Sequence, residues 1–390
     1  MARYSADFIF TGTEFLPPGS SIVLDAEGTI LAVNPESPVD TVHLNGLLMP
    51  GLVNAHCHLE LSYLKGKIKP HTGLPGFLNQ VNAAYTAPRY EQEIQQAMQA
   101  ADQDMFAHGI VAVGDISNRM DSITIKKNSP VHYVTFVEVF GVVEENATQR
   151  FSQALKIRDA FRDAGLTAHL APHAPYSVSG ALFKLIGESG ELLSGMHNQE
   201  CAAENELFEL GTGDFVPFLK QFLADDQNLP ISGKTSLQTR LPYLDQIPQV
   251  LLVHNAHTSE EDLEFASKSD SELFWCFCPQ ANQYIESKPA NPLRFVAKNL
   301  NVVVGTDSLA SNHTLDLFEE IRLIQNAFPT IPLAYWLQSV TVQGARALLL
   351  DARFGSLHVG SQPGVVHIPE WQSKDSIPET RSLRFLARPC

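Results

Sequence analysis

Residues 50–62 read "PGLVNAHCHLELS". The segment opens as an apolar run, as a strand covered on both faces would, and then sets His56 and His58 two positions apart around Cys57. Side chains two apart on a strand share a face, so both imidazoles project from one side. A pair of hydrogen-bonded core histidines satisfies that pattern, and so does a pair of metal ligands.

The run is the first of eight. "GLVNAHCH", "GIVAVGDIS", "VHYVTFVEVFG", "TAHLAPHAP", "LLSGMHNQE", "VLLVHNA", "ELFWCFCP" and "NVVVGTDS" are each β-type, and most are apolar almost throughout. Helical patterns lie between them, such as "YEQEIQQAMQAADQDMFAHG" closed by Gly109 and "TQRFSQALKIRDAFRDAG" closed by Gly165. Repeated β-α units with strands hydrophobic on both faces predict a parallel sheet. Eight of them predict an α/β fold, a (β/α)8 TIM-like barrel over residues 51–350, with "YWLQSVTVQGARALLL" as its last helix.

Both ends of the chain read differently. Residues 1–50 hold "DFIFTG", "SSIVLDAEGTILAVN" turning at Gly28, and "TVHLNGLLMPG"; residues 351–390 hold "GSLHVG", "GVVHIPE" and "SLRFLA". The simplest topology lets 1–50 and 351–390 complete one small β-sandwich beside the barrel.

Composition narrows the partners. With 44% hydrophobic and 18% charged residues and no apolar stretch long enough to span a bilayer, the chain reads as soluble and globular, with no membrane partner. A formal net charge of -16 without a Lys/Arg cluster argues against nucleic acid and leaves a small molecule as the expected substrate. The start "MARYSADFIFTGTEF" has no secretory pattern, which points to the cytoplasm. Cysteines at 57, 201, 276, 278 and 390 have no framework spacing and read as free thiols.

Barrel enzymes carry their chemistry at the C-terminal ends of the strands. There this chain places His56 and His58, His173, His197 with Glu200 three residues later, His254 with His257, and Asp307. Singly, His173 reads as a structural histidine, Asp307 as a turn or helix cap and Glu200 as a solvated helix start. Together they would bury much unpaired polarity unless a metal is held. Imidazoles with one carboxylate suit Zn²⁺ or Fe²⁺, and three histidines with an aspartate leave room for a water. "TAHLAPHAP" offers no lysine to bridge two ions, so the reading is one divalent ion, Zn²⁺ ahead of Fe²⁺.

"PGLVNAHCHLE", "HNQE", "LLVHNAH" and "VVVGTDSLASNHTLDLFEE", in this order across nearly the whole chain, resemble the amidohydrolase superfamily, specifically its mononuclear aminohydrolase branch of nucleoside and nucleobase deaminases and triazine chlorohydrolases. The resemblance implies His56, His58, His197 and Asp307 as metal ligands, Glu200 as proton shuttle, and His254 as the group orienting the water. It also implies His173 and Asn282 at the substrate. Glu60 in "HLELS" is similar to a position of the aminofutalosine deaminases and joins the substrate contacts. "CPQANQY" departs from the pattern, keeping Pro279 and Asn282 but placing Ala281 where relatives carry serine. His257 reads as structural. Relatives are often dimers or larger, so the resemblance extends to a homo-oligomer.

The implied reaction is hydrolytic deamination of an amino-substituted heterocycle, purine or adenine-nucleoside in type and aminofutalosine-like first, with a metal-bound hydroxide as nucleophile and ammonia as product. Catalysis falls to Glu200, His254 and Asp307. The alternatives are hydrolysis of a cyclic amide, a formimino group or a ring halide at the same site, or a catalytically dead scaffold. Residues 211–246 read as a helical cover over the pocket, and Lys234, Arg240, Arg89 and Arg119 are the cations available to an anionic substrate tail.

Overall fold

The computed structural model describes residues 1–34, 36, 40–88, 90–223 and 228–388. Its strands are β1 Ala2–Ile9, β2 Ser21–Leu24, β3 Ile30–Asn34, β4 Val42–Pro50, β5 Leu52–Cys57, β6 Ile110–Ser117 and β7 His132–Val139, then β8 Thr167–Pro172, β9 Leu193–Asn198, β10 Gln249–His254, β11 Glu272–Phe277, β12 Asn301–Val304, β13 Val365–Ile368 and β14 Arg384–Ala387.

All eight apolar runs are strands, β5 to β12. They form two parallel sheets of four, β5-β6-β7-β8 and β9-β10-β11-β12. Every residue of β5, β6, β9 and β10 is buried, which is why the sequence does not alternate there. The intervening helices include Glu91–Ala107 and Ala147–Asp163, and the chain leaves each through a glycine, Gly109 and Gly165, at φ +84°.

Backbone hydrogen bonds join the two sheets on both sides. The His197 N–H, in β9, donates to the His173 carbonyl just past β8 at 2.8 Å. On the other side the N–H groups of Thr306 and Asp307, just past β12, donate to the His56 carbonyl in β5 at 3.0 and 3.1 Å. Gly305 permits that approach, because a Cβ there would lie 2.7 Å from the His56 Cβ and 2.8 Å from its carbonyl oxygen.

The terminal segments meet as expected but in a different form. β1 to β4 and β13, β14 make one six-stranded sheet in the order β14-β13-β4-β1-β2-β3, with Gly28 at φ +82° between β2 and β3. Among the described strands there is no second sheet to complete a sandwich. "GSLHVG" is not a strand: Gly355 and Gly360, at φ +82° and +93°, bend it out of extension, and isolated bonds hold it, Leu357 N–H to Thr11 O just past β1 and Gly360 N–H to Ile30 O in β3, both at 2.8 Å. The segment "YWLQSVTVQGARALLL", expected as one last helix, falls across two short ones, Leu333–Ser339 and Val342–Ala347. The Thr341 hydroxyl at the break donates to Leu337 O at 2.6 Å, a side-chain bond that competes with the helical ladder.

Cys57, Cys201, Cys276 and Cys278 are free and buried, while Cys390 lies outside the described residues. No described helix is long and apolar enough to cross a membrane. The approach of β12 to β5 makes Gly305 a sharp test. Gly305→Ala should destabilise the fold by about 1–3 kcal/mol through overpacking against backbone; an unchanged urea midpoint would show that the two strands part there at no cost.

Candidate active site

The residues picked out at the strand ends converge. The Nε2 atoms of His56 and His58 face each other at 3.1 Å, and Asp307 Oδ1 lies 3.7 Å from the first and 3.4 Å from the second. The His197 ring sits 5.0 Å from His56 and 5.4 Å from His58, stacked on the latter, and 5.3 Å from His254 on its other face. Ligand atoms of His56, His197 and His254, and likewise those of His56, His58 and Asp307, lie within 4.8 Å of one another.

Local structure explains how these side chains are held. Asp307 Oδ2 accepts from the Ser311 hydroxyl at 2.6 Å, leaving Oδ1 toward the histidines. Behind β5, Asp115 in β6 takes the Leu59 N–H at 2.7 Å, fixing the turn that carries His58, and is itself paired with Lys126 at 2.6 Å. That lysine is fully buried, with Ser117 and Thr135 hydroxyls at 2.9 and 3.0 Å satisfying its other hydrogens. Past β9 the Glu204 carboxylate takes the N–H groups of Gln199 and Glu200 at 3.0 and 3.3 Å, which turns Glu200 into the cavity. Its Oε2 lies 3.6 Å from His254 Nε2. Asn282 Nδ2 stands 3.4 Å from His254 Nδ1; with the amide donating, the ring carries its proton on Nε2, toward the cavity. His254 and Asp307 both sit in the left-handed region, at φ +79° and +55°, conformations that cost on the order of 1–3 kcal/mol and that cluster at working sites.

The electrostatics follow from burial. Desolvation lowers His58 to about 3 and His173 to about 4, against carboxylates that pull both upward, and it drives His56 and His254 well below the ordinary imidazole range. These four rings are therefore uncharged at neutral pH. Glu200 is pushed well above the usual carboxylate range, by burial first and then by Asp307 and Glu204, so it can hold a proton. Burial also raises Glu60 to about 7, against the hydrogen bonds that Asn118 gives it.

One carboxylate escaped the sequence reading. Glu138, at the end of β7, places Oε1 3.4 Å from His197 Nε2 and 4.0 Å from His173 Nε2. Its signal was a lone charge inside "VTFVEVFG", at the same strand-end position as the other site residues. Burial alone would raise it, yet the rings of His173, His197 and His58 hold it below the usual range.

A cavity of ≈ 470 Å³ opens over this floor. His58, Glu60, His173, His197, Glu200, His254 and Asp307 line it, so Glu60 and His173 reach it as expected, whereas Asn282 acts behind His254. His257 joins none of these clusters; its N–H bonds the Gln199 carbonyl. The cover is short: the helix Phe215–Leu219 and Phe222 supply its apolar part, and residues 224–227 lie outside the described ones. Of the cations expected for a substrate tail, Lys234 is exposed, and Arg240 is buried among Phe183, Phe208 and Tyr243 away from the cavity. Arg119 stacks on Tyr85 and donates to its hydroxyl, while Arg89 lies outside the described residues. Arg150, which the sequence presents as one of several charges on an amphipathic helix, is the one cation among the described lining residues.

The amidohydrolase family model matches residues 47–376. An adenosine deaminase of Helicobacter pylori is 30% identical over 317 residues, 79% of this chain and 75% of that one. A 5-methylthioadenosine/S-adenosylhomocysteine deaminase of Teredinibacter turnerae is 26% identical over 344 residues, 83% of this chain and 71% of that one. Among solved structures, Helicobacter pylori aminofutalosine deaminase in complex with methylthio-coformycin superposes with a TM-score of 0.81 at 25% identity, covering 96% of this chain and 94% of that one.

The lowered imidazoles make stability depend on pH. An unfolded histidine protonates near 6.5 and folded His173 near 4, so acid favours the unfolded chain between those values. The contribution of His173 is complete above 6.5 and lost as pH falls toward 4. In metal-free protein His173→Asn should flatten the decline between pH 7 and 4 by about 3 kcal/mol, read from urea unfolding at several pH values; an unaltered slope would place the imidazole in water.

Proposed function

Because the chain belongs to the amidohydrolase family, we propose that it is a hydrolase that deaminates an amino-substituted heterocycle of the adenine-nucleoside type, releasing ammonia at the cavity floored by His56, His58, His197, Glu200, His254 and Asp307. One observation carries the reading: the ligand atoms of His56, His58 and Asp307, and those of His56, His197 and His254, gather in two groups that share His56, beside a carboxyl group able to hold a proton. Two deaminases named for adenosine compounds among the similar proteins support the substrate class. The seam bonds at His56 and His173 support a single closed (β/α)8 barrel, with 51–350 as the catalytic unit and 1–50 plus 351–390 as the accessory one.

The donors fit a divalent metal. The two Nε2 atoms at 3.1 Å can share one ring's own proton or face a common cation, and three nitrogens with one carboxylate are the donor set of Zn²⁺, with Fe²⁺ as the alternative. His56, His58, His197 and Asp307 would hold that single ion, and when bound it lowers the pKa of a coordinated water toward about 7, supplying a nucleophile at neutral pH.

The chain's own groups move the protons. Glu200 takes one from the attacking water and returns it to the ring nitrogen next to the attacked carbon, which its raised pKa allows. His254, with Nε2–H toward the cavity, donates to the oxygen as charge develops there. Asp307 takes the second proton and passes it to the departing amine, its other oxygen kept in place by Ser311. Arg150, in the cavity lining with its guanidinium over the Phe140 ring, suits a substrate whose tail ends in an anion, as an aminofutalosine-like compound would.

Ammonia release by Zn²⁺-loaded protein over adenosine, methylthioadenosine, S-adenosylhomocysteine, aminofutalosine, guanine and a chlorotriazine tests the reading. Turnover of the adenine nucleosides is expected; silence on all of them with metal bound would redirect it to another hydrolysable bond. Glu200→Gln should cost about 10²–10⁴-fold in turnover with metal retained, whereas Asp307→Ala should lose metal as well as rate, as metal analysis of the purified variants would show.

A further inference from the structure

Glu200 works from a turn that the backbone does not favour. Gln199, just before it, sits in the left-handed region at φ +47°, and for a residue with a side chain such a conformation persists only where the surroundings impose it. Glu204 imposes it. From the first turn of the helix Ala202–Leu210 its carboxylate reaches back past the Cys201 cap and takes the N–H groups of both Gln199 and Glu200. The oxygen that serves Gln199 also accepts from the Ser236 hydroxyl at 2.6 Å.

Neither Glu204 nor Ser236 is among the residues lining the cavity, and both are fully buried. Burial raises Glu204 to about 7 against the bonds it accepts, so the fold keeps a costly group there. Two further bonds fix the same turn: Gln199 Nε2 donates to Asp262 Oδ2 at 2.8 Å, and the Gln199 carbonyl accepts from the His257 N–H at 2.9 Å. Asp262 in turn accepts from the hydroxyl of Thr235, the neighbour of Ser236, at 2.6 Å. The cover stands on this network with both feet. One is the helix Ala202–Leu210, which leads from Glu200 to the cover. The other is residues 232–236, where the N–H groups of Ser232 and Gly233 bond back to the Phe208 carbonyl of that helix at 2.8 and 3.1 Å.

We infer that Glu204 is a positioning residue for the proton shuttle and that Ser236 ties it to the foot of the cover. Together they hold the Glu200 carboxyl where it can pass a proton between water and ring nitrogen, and so contribute to turnover without contacting the substrate. The inference rests on the deaminase reading and adds to it the groups that give Glu200 its place. A clamp that only supports the fold would leave the kinetics of the folded enzyme alone. A positioning clamp acts through Glu200, so its effect disappears once the Glu200 carboxylate is removed.

The test measures kcat, KM and zinc content in the zinc-loaded wild type, Ser236→Ala, Glu204→Gln, Glu200→Gln and the double variant Glu200→Gln/Glu204→Gln, on whichever nucleoside of the panel is turned over fastest. Ser236→Ala should lower kcat about tenfold, the worth of one buried hydrogen bond, and Glu204→Gln about 10²-fold, the cost of misplacing a reacting group by about 1 Å. In both, KM should stay within about twofold and zinc should be retained. In the double variant the Glu204 change should cost less than about threefold beyond Glu200→Gln alone. Unchanged kcat in both single variants, a loss carried by KM, loss of zinc, or full multiplication of the two losses in the double variant would overturn the assignment. Ser236→Ala decides it where Glu204→Gln does not fold. If no nucleoside yields ammonia the deaminase reading fails, and amide hydrogen exchange then decides the clamp: Gln199 and Glu200 should exchange about tenfold faster in Ser236→Ala, an unchanged rate counting against it.

Discussion

A single carbonyl does two tasks in this molecule. The His56 oxygen accepts from the N–H groups of both Thr306 and Asp307, and so joins β5 to the end of β12. The same bonds bring the His56 imidazole and the Asp307 carboxylate to within 3.7 Å. On the other side the His197 N–H does likewise with the His173 carbonyl, and those rings lie 5.0 Å apart. At both seams, residues that make the backbone junction also furnish the site. Fold and function thus share hydrogen bonds, and Gly305 is the position where neither can be relaxed without the other.

The second constraint is desolvation. Gathering five imidazoles and several carboxylates under cover is unfavourable, and the chain answers it in two ways. Burial holds His56, His58, His173 and His254 below the ordinary imidazole range, and most carboxylate oxygens are spoken for: Asp307 by Ser311, Glu204 by two backbone N–H groups and Ser236, Asp115 by Leu59 and Lys126. Some polar atoms at the cavity floor and wall are left without a hydrogen bond, among them His197 Nδ1 and Asn118 Oδ1, and the backbone at His254 and Asp307 is left-handed.

These two constraints explain what could be seen in the sequence. The eight strands were legible because burial on both faces removes alternation and leaves long apolar runs. His56, His58, His173, His197, Glu200, His254 and Asp307 were legible because a polar residue at the end of such a run stands out against it. Glu138 meets the same criterion and was passed over because "VTFVEVFG" continues apolar beyond it, so the strand's end was not evident. Asn118 and Arg150 had no signal at all, since their places depend on which loops face the cavity, a three-dimensional matter. The terminal segments failed for a related reason. Alternating runs showed that residues 1–50 and 351–390 would pair, but the number of layers depends on long-range register, and local glycines at 355 and 360 removed one expected strand.

The Lys126–Asp115 pair shows how far the site reaches into the core. Exchanging a buried ion pair for apolar residues of similar size is often neutral or stabilising, so stability alone does not account for this one. Asp115 Oδ1, however, is the acceptor for the Leu59 N–H directly after His58. An apolar substitute could fill the space but could not take that bond. The pair is better understood as the fixture that sets the turn after β5, the lysine keeping the aspartate ionised and in place while the aspartate holds the turn. By that argument the cost of one buried charge pair in the core is offset at the cavity floor, where His58 and His56 must keep their lone pairs turned toward one point.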